Sequence, residues 1–492
     1  MELGRLASAV FVRDISGTSP KVLRGTIALG LAANESSPMP EEGIAANVQL
    51  QSLQVDAWEA AFAGIAEPAP PAPVASGGRA AAASSASNTS YLPDRFALRA
   101  GDLTVGGRKL HNVVLGGSRD GQTWRANVDA KELGGYVEYR QPTGAGPGRV
   151  FARLSHLTIE PGADTDVEHL LDEQTESVPA LDIVVEDFDL RGKKLGRIEV
   201  DAVNRGGGAV AREGGVREWR LNKLNLTMPE ASFTASGNWA AVNAQYTPPG
   251  GPRPPRTKAE PRRTVMNFKL DIHDAGALLG RFNMKDVFRR GKGHMEGQVA
   301  WVGSPLALDY PSLSGQLNIN VESGQFLKAD PGLAKLLGVL SLQSLPRRLS
   351  LDFRDVFSEG FAFDFIRGDV RIDQGIAMTN NLQMKGVSAA VLMDGRADIA
   401  RETQDIKVVV VPEINAGTAS LVATVINPAV GLGTFLAQMF LRRPLMEAAT
   451  QQFHLDGTWA DPRITRVARD KTGSTEESKT EALAPAKPGA TQ

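Results

Sequence analysis

A chain of 492 residues with 42% hydrophobic and 22% charged residues can bury a sizeable core, and is long enough for several domains or one extended repeat architecture. Its 54 Lys and Arg against 56 Asp and Glu are interspersed and sum to −2, which supplies no basic stripe and sets nucleic-acid binding aside. The absence of cysteine excludes disulfides, thiolate metal sites and cysteine nucleophiles.

The opening MELGRLASAVFVRDISG has no charged region followed by an apolar one, so it encodes no signal peptide, and it begins as if inside a strand. Residues 1–64 are expected to form a partial β unit in which Asp56 caps a short helix carrying Trp58. Residues 65–90 carry two charges and almost no large side chains, the composition of an insertion that cannot offset the cost of ordering.

An internal repeat occupies 91–246. GRKLHNVVL (107–115) resembles GKKLGRIEV (192–200), and WRANVDAKELGGYVEY (124–139) resembles WRLNKLNLTMPEASFTASGNW (219–239). The offsets of 85 and 95 residues give a unit near 90, with the Gly-rich 205–215 as a loop insertion. Each unit reads as a meander of strands, stacked so that it contacts only its neighbours. The Pro-rich loop 247–263 should be extended and solvated.

Period-two alternation dominates the rest. Ala231, Phe233, Ala235, Gly237 and Trp239 stand opposite Ser232, Thr234, Ser236 and Asn238. The same pattern recurs in Leu317, Ile319 and Val321, in Leu349, Leu351 and Phe353, and in Phe361, Phe363 and Phe365. Strands with one wet and one apolar face belong to an antiparallel sheet. Helices are few. Asp274 caps one carrying Leu278 and Leu279, and Asp330–Pro331 starts another over 331–345 with Leu333, Leu336, Leu337 and Leu340 on one face. From Ile414 to Leu441 no residue is charged, but Asn415, Thr418, Asn427 and Gln438 leave the run only moderately hydrophobic for a membrane span, and an amphipathic helix is the favoured reading. With Asn427 as cap and Pro428 first, 428–441 reads as an amphipathic helix with Leu432, Phe435, Leu436, Met439 and Phe440 in one stripe. The tail 469–492 is expected to be disordered. The fold class is therefore mainly β, an elongated, repeat-built antiparallel sheet with a few short amphipathic helices.

Residues that would carry chemistry do not converge. The six histidines (His111, His156, His169, His273, His294 and His454) do not pair at metal-ligand spacing, and Asp271-Ile272-His273-Asp274 reads as a strand end entering a capped helix. Asp352 and Asp355 sit beside a strand and read as a solvated face, and there is no nucleophile elbow or phosphate loop. An enzyme is not expected, and neither a cofactor nor a metal. The apolar strand faces remain as the candidate functional surface. They either close on each other as core or curl into a groove open to a ligand, and periodicity leaves both readings open.

Several long strings carry a resemblance: PALDIVVEDFDLRGKKLGRIEVDA, DAGALLGRFNMKDVFRRGKGHMEGQVAWVGSPLALDYPSLSGQLNINVESGQFLKADPG, SLPRRLSLDFRDVF, MKGVSAAVLMDGRADIARETQDIKVVVVPEINAGTASL, NPAVGLGTFLAQMFLRRPL and DGTWADPRI. From about residue 92 onward the chain resembles the C-terminal part of the AsmA-like family, within it the YhdP group. The resemblance implies a long twisted sheet rolled into an open apolar groove over 264–468, anchored in the inner membrane and spanning the periplasm. It implies bridge-like phospholipid transfer to the outer membrane, with the outer membrane at the C-terminal end. Family members are longer and begin with a transmembrane helix, so this chain is expected to be a C-terminal segment whose inner-membrane anchor lies elsewhere. By position, the lipid contacts would be Leu317, Ile319, Val321, Leu349, Leu351, Phe353, Phe361, Phe363, Phe365, Val370 and Ile372. The 331–345 helix would cap or gate the groove. The 428–441 helix would either dip its stripe into lipid or plug the end of the sheet as core. The alternative function is a structural scaffold of the outer membrane that holds no lipid.

Overall fold

The computed structural model describes residues 2–3, 7–16, 21–31, 37–57, 91–142, 148–160, 178–205, 218–241, 262–305, 308–327, 361–386, 389–412, 426–442, 447 and 450–467. The readings at Trp58, at the 331–345 helix and at Leu349, Leu351 and Phe353 lie outside them, as do those at 65–90 and 469–492.

The first strands are β1 (Glu2–Leu3), β2 (Ala7–Asp14), β3 (Lys21–Leu29) and β4 (Gly43–Gln54). Five follow as β5 (Arg95–Val105), β6 (Arg108–Asp120), β7 (Thr123–Asp129), β8 (Leu133–Arg140) and β9 (Arg149–Ile159). Five more are β10 (Ala180–Leu190), β11 (Lys193–Asn204), β12 (Glu218–Thr227), β13 (Ala231–Ala241) and β14 (Arg262–Ile272). Helix α1 (Ala275–Arg281) leads to β15 (Phe288–Val302), β16 (Ser314–Phe326), β17 (Phe361–Asp373), β18 (Ile376–Gly386), β19 (Ala389–Asp398) and β20 (Thr403–Pro412). Helix α2 (Gly431–Arg442) precedes β21 (Gln451–Thr458) and β22 (Pro462–Arg466).

All 22 strands belong to one sheet, and each pairs with its neighbours in sequence. The sheet is open, and at ~4.8 Å per strand its pairing direction measures about 100 Å. Three junctions are parallel, β3–β4, β4–β5 and β9–β10; the rest are antiparallel. A parallel junction needs a connection that returns the chain along the strand, and the long segments between Gln54 and Arg95 and between Ile159 and Ala180 serve this purpose.

The parallel junctions at β4–β5 and β9–β10 open two units of five strands, β5–β9 and β10–β14, that repeat each other's local chemistry. The first hairpin of each turns through two left-handed residues, Gly106–Gly107 and Arg191–Gly192. The third connection of each unit is closed by Ala130 N–H to Leu133 O (2.9 Å) in one and Met228 N–H to Ala231 O (2.8 Å) in the other. Asp56 stands within the helical turn 55–57 rather than before it as its cap. Its carboxylate accepts from Gly106 N–H (2.7 Å) and Gly107 N–H (2.8 Å), so it holds the first hairpin from the preceding strand. β22 begins at Pro462 and carries Arg463 and Arg466, features that blunt an edge strand against further pairing.

Helix α1 is capped as its sequence predicts, the Asp274 carboxylate accepting from Ala277 N–H at 2.9 Å. Helix α2 starts three residues later than Pro428. Asn427 takes Ala429 N–H on its side chain and the amides of Val430 and Gly431 on its carbonyl, and Gly431 has φ +72°. That left-handed residue separates the capped turn from the helix. Leu432, Leu436 and Met439 then bury against Ala390, Leu392, Val409 and Val411 of β19 and β20. Leu432→Ala is expected to cost about 2–5 kcal/mol locally. Hydrogen exchange should show it as faster amide exchange in α2 and β19, with β5–β14 unchanged.

Candidate functional site: one apolar face of the sheet

Residues opposite each other across a ladder share a face, so the register fixes which side chains lie together. Starting at Ala9, the register runs through Ile27, Ala46, Phe96, Gly117, Ala126, Val137, Ala152, Ile183, Val200, Leu224, Ala235, Phe268, Gly297 and Leu317 to Val370. Every position in this row, from β2 to β17, is apolar or glycine, over about 70 Å of sheet. A parallel row on the same face includes Leu98, Val128, Leu154, Val185, Leu226, Phe233, Leu270 and Ile319, and it is equally unbroken. The other face carries Asn127, Arg153, Glu199, Asn225, Thr234, Lys269, Glu296, Asn318 and Asp369 in the corresponding row.

Exposure changes along the apolar face. Ile183, Val200, Leu224, Phe233, Phe268, Leu317 and Val370 are only partly buried, whereas Val128, Ala152, Leu154, Val185 and Ala235 in the same rows are buried. Toward the C-terminal end the face is sealed: Val391, Val408, Val410, Phe453 and Leu455 pack with Phe363 and Met384, and Val391 and Val410 are 1% exposed. There, β19 and β20 are buried on both sides, since α2 covers the opposite one.

A three-ring cluster lies at the border between the two regimes. Phe288, Phe326 and Phe363 have centroids 4.9–5.5 Å apart in edge-on and tilted contacts, with Phe288 and Phe363 lying over Gly324. A Cβ on Gly324 would fall 2.5 Å from the Phe363 ring. Gly324→Leu is therefore expected to splay the rings and lower the thermal midpoint by several degrees, read by near-ultraviolet circular dichroism. Phe96 over Gly117 and Phe11 over Gly25 repeat the device of an aromatic ring laid on a cross-strand glycine.

The sequence-predicted contacts divide on this frame. Leu317, Ile319, Val321, Val370 and Ile372 share the apolar face. Phe363 joins the sealed cluster at 3% exposure. A bulge between Phe363 and Phe365 shifts the register, and Phe365 lies on the polar face with the Arg367 guanidinium 4.0 Å over its ring. Phe361 opens β17; its side chain lies outside the described set. In the α2 stripe Leu432, Leu436 and Met439 are buried, with Phe435 and Phe440 partly buried beside them. The half-exposed rows of β5–β12 were not singled out, although the alternation of Phe96, Leu98 and Ala100 carries the same signal.

Two buried carboxylates sit at equivalent turns along one rim of the sheet. Burial pushes the Glu132 carboxyl up, but the His111 backbone N–H (2.8 Å) and imidazole (2.6 Å) outweigh it and hold the group below the ordinary range. The Arg281 guanidinium does the same for Glu230, which it grips through both oxygens while also donating to Lys194 O. Asp271 pairs with Lys269 at 3.1 Å, and His273 donates its backbone N–H to Glu230 O. Among the described residues no three His, Asp or Glu side chains are grouped to hold a metal ion, and no helix is long and apolar enough to cross a membrane.

A single extended sheet, one face apolar and the other polar from β2 to β17, defines an elongated β protein built by strand addition. A family model described as "YhdP protein" matches residues 1–464, and the chain belongs to that family. It is 29% identical over 279 residues to the intermembrane phospholipid transporter YhdP of Escherichia coli K12. That match covers 56% of this chain and 20% of the relative's length. No solved structure matches the chain.

Proposed function

We propose that the apolar face holds the acyl chains of phospholipids, and that the chain acts as a section of a conduit carrying them between the inner and outer membranes of the cell envelope. The unbroken row from Ala9 to Val370 carries this reading. Apolar surface is favourable for a hydrocarbon chain at ~0.8 kcal/mol per methylene, so a chain of about fifteen methylenes gains on the order of 10 kcal/mol by leaving water. The row has no charged position to interrupt sliding, and the polar reverse face keeps the sheet soluble. The sheet would curl along its length so that the half-exposed rows form the floor of a trough. Leu317, Ile319, Val321, Val370 and Ile372 would lie on that floor near its C-terminal end, beside the sealed cluster. The role involves no catalytic step.

Purified protein should carry phospholipid, and photo-crosslinkers at Ile183 and Phe268 should label it. An extract free of phospholipid together with silent crosslinkers at both positions would refute the reading. A scaffold that holds no lipid is favoured by one observation only, the sealing of both faces at β19 and β20.

A further inference from the structure

The loop between α1 and β15, together with the first residues of β15, has a makeup unlike the rest of the rim. Phe282 and Met284 are 46% and 47% exposed at its apex. Phe282–Lys292 holds four basic residues and one acidic residue, a local +3 in a chain whose net charge is −2. Lys285, Arg289 and Arg290 are exposed and form no ion pair among the described residues. Asp286 lies within the loop, and Glu322 stands opposite Lys292 in register. Arg281 is not available, being held by Glu230 and Lys194 O.

The loop is also held in its exposed shape. Asn283, Asp286 and Arg290 have φ of 69°, 59° and 60°, three of the eight left-handed non-glycine residues in the described chain. Such backbone persists only where the surroundings fix it. Here Met284 N–H bonds Leu279 O, Leu327 N–H bonds Val287 O, and Phe288 is locked into the three-ring cluster. Two large apolar side chains are thus displayed among unpaired cations rather than folded inward.

We infer that this loop is a docking surface for an anionic lipid bilayer, Phe282 and Met284 entering the interface while Lys285, Arg289 and Arg290 meet the headgroup phosphates. Exposed aromatic and thioether side chains flanked by cations are complementary to that surface and to few others, since the apolar pair seeks hydrocarbon and the cations seek diffuse negative charge. The contact is separate from the lipid held on the apolar face and does not depend on it.

Sedimentation of the full chain with vesicles tests it. Binding is expected to phosphatidylcholine vesicles containing about one-third phosphatidylglycerol, to be weaker on phosphatidylcholine alone, and to fall at ~0.5 M salt. Joint Lys285→Gln, Arg289→Gln and Arg290→Gln should weaken binding to the anionic vesicles about tenfold or more. Phe282→Ser with Met284→Ser should weaken it at low and high salt alike. Both variants should keep the wild-type content of co-purifying phospholipid, which reports the apolar face independently. Equal binding to neutral and anionic vesicles, or charge and apex variants that both bind as wild type does, would overturn the assignment; an acidic protein partner would then be the better occupant.

Discussion

Replacing Leu224 and Phe233 together by aspartate is expected to strip co-purifying phospholipid from the protein almost completely. Both side chains lie on the apolar face and are only partly buried, Leu224 at the margin of the cluster around Trp219 and Trp239 and Phe233 stacked on Phe268. An acyl chain lying across two carboxylates would have to desolvate them at a cost of several kcal/mol each, enough to cancel most of the gain from a dozen methylenes. Mass spectrometry of a lipid extract reads the loss, and far-ultraviolet circular dichroism should show an unchanged sheet. Lipid content equal to wild type in the folded variant would mean that the rows through β12 and β13 are not the floor of a conduit. The matched pair Thr234→Asp and Asn225→Asp, on the polar face, should leave lipid content unaltered.

Arg281→Ala is expected to be the most destabilising single substitution at the rim, by about 3–5 kcal/mol. Glu230 is 6% exposed, and without the guanidinium its charge would stay buried without its main partner. The loss should be visible as a lower urea midpoint. It also carries a pH signature. The folded-state pKa of Glu230 is depressed, so the stabilisation is present above the unfolded value of about 4.5 and disappears as pH falls through the lower folded value. Wild type should therefore lose stability on acidification below about pH 4.5, whereas Arg281→Ala should lose less in the same window. Glu132 is depressed as well, through His111, and its equivalent place at the other unit's turn predicts a second, independent acid-sensitive contact.

Much of the fold follows from the period-two pattern. The alternation of Ala231, Phe233, Ala235, Gly237 and Trp239 against Ser232, Thr234, Ser236 and Asn238 requires a one-sided strand, and every one of these apolar residues lies on the apolar face. The glycines that open the two matching strings, Gly107 and Gly192, stand at positive φ in the turns, and the Arg and Lys that follow them already open β6 and β11. The Asp274 cap was legible because its effect acts within three residues.

What failed to show was decided by non-local pairing. Phe361, Phe363 and Phe365 alternate perfectly in sequence, yet one bulge, visible only against β18, separates Phe363 from Phe365 and sends the second ring under Arg367. The parallel junctions at β3–β4, β4–β5 and β9–β10 leave no local trace, because a strand's own alternation is the same whichever way its neighbour runs. Pro428 promised a helix start, but the helix waits for Gly431, where the backbone is free to leave the capped turn. The stripe of Leu432, Leu436 and Met439 is compatible with lipid or with core on periodicity alone; the row Ala390, Leu392, Val409 and Val411 that meets it is known only once β19 and β20 are paired.

The sequence by itself determined that this is a repeat-built, mainly β chain with one apolar side to each strand, because alternation and turn chemistry act over two to four residues and survive in any arrangement. Only the tertiary structure decided that those sides join. Register across fifteen consecutive ladders aligns them into one uninterrupted row, partly exposed at many positions through the middle strands and sealed beyond β18. Its continuity depends on every ladder keeping step, and a one-residue slip at any of them would have turned the next strand's polar side into the path.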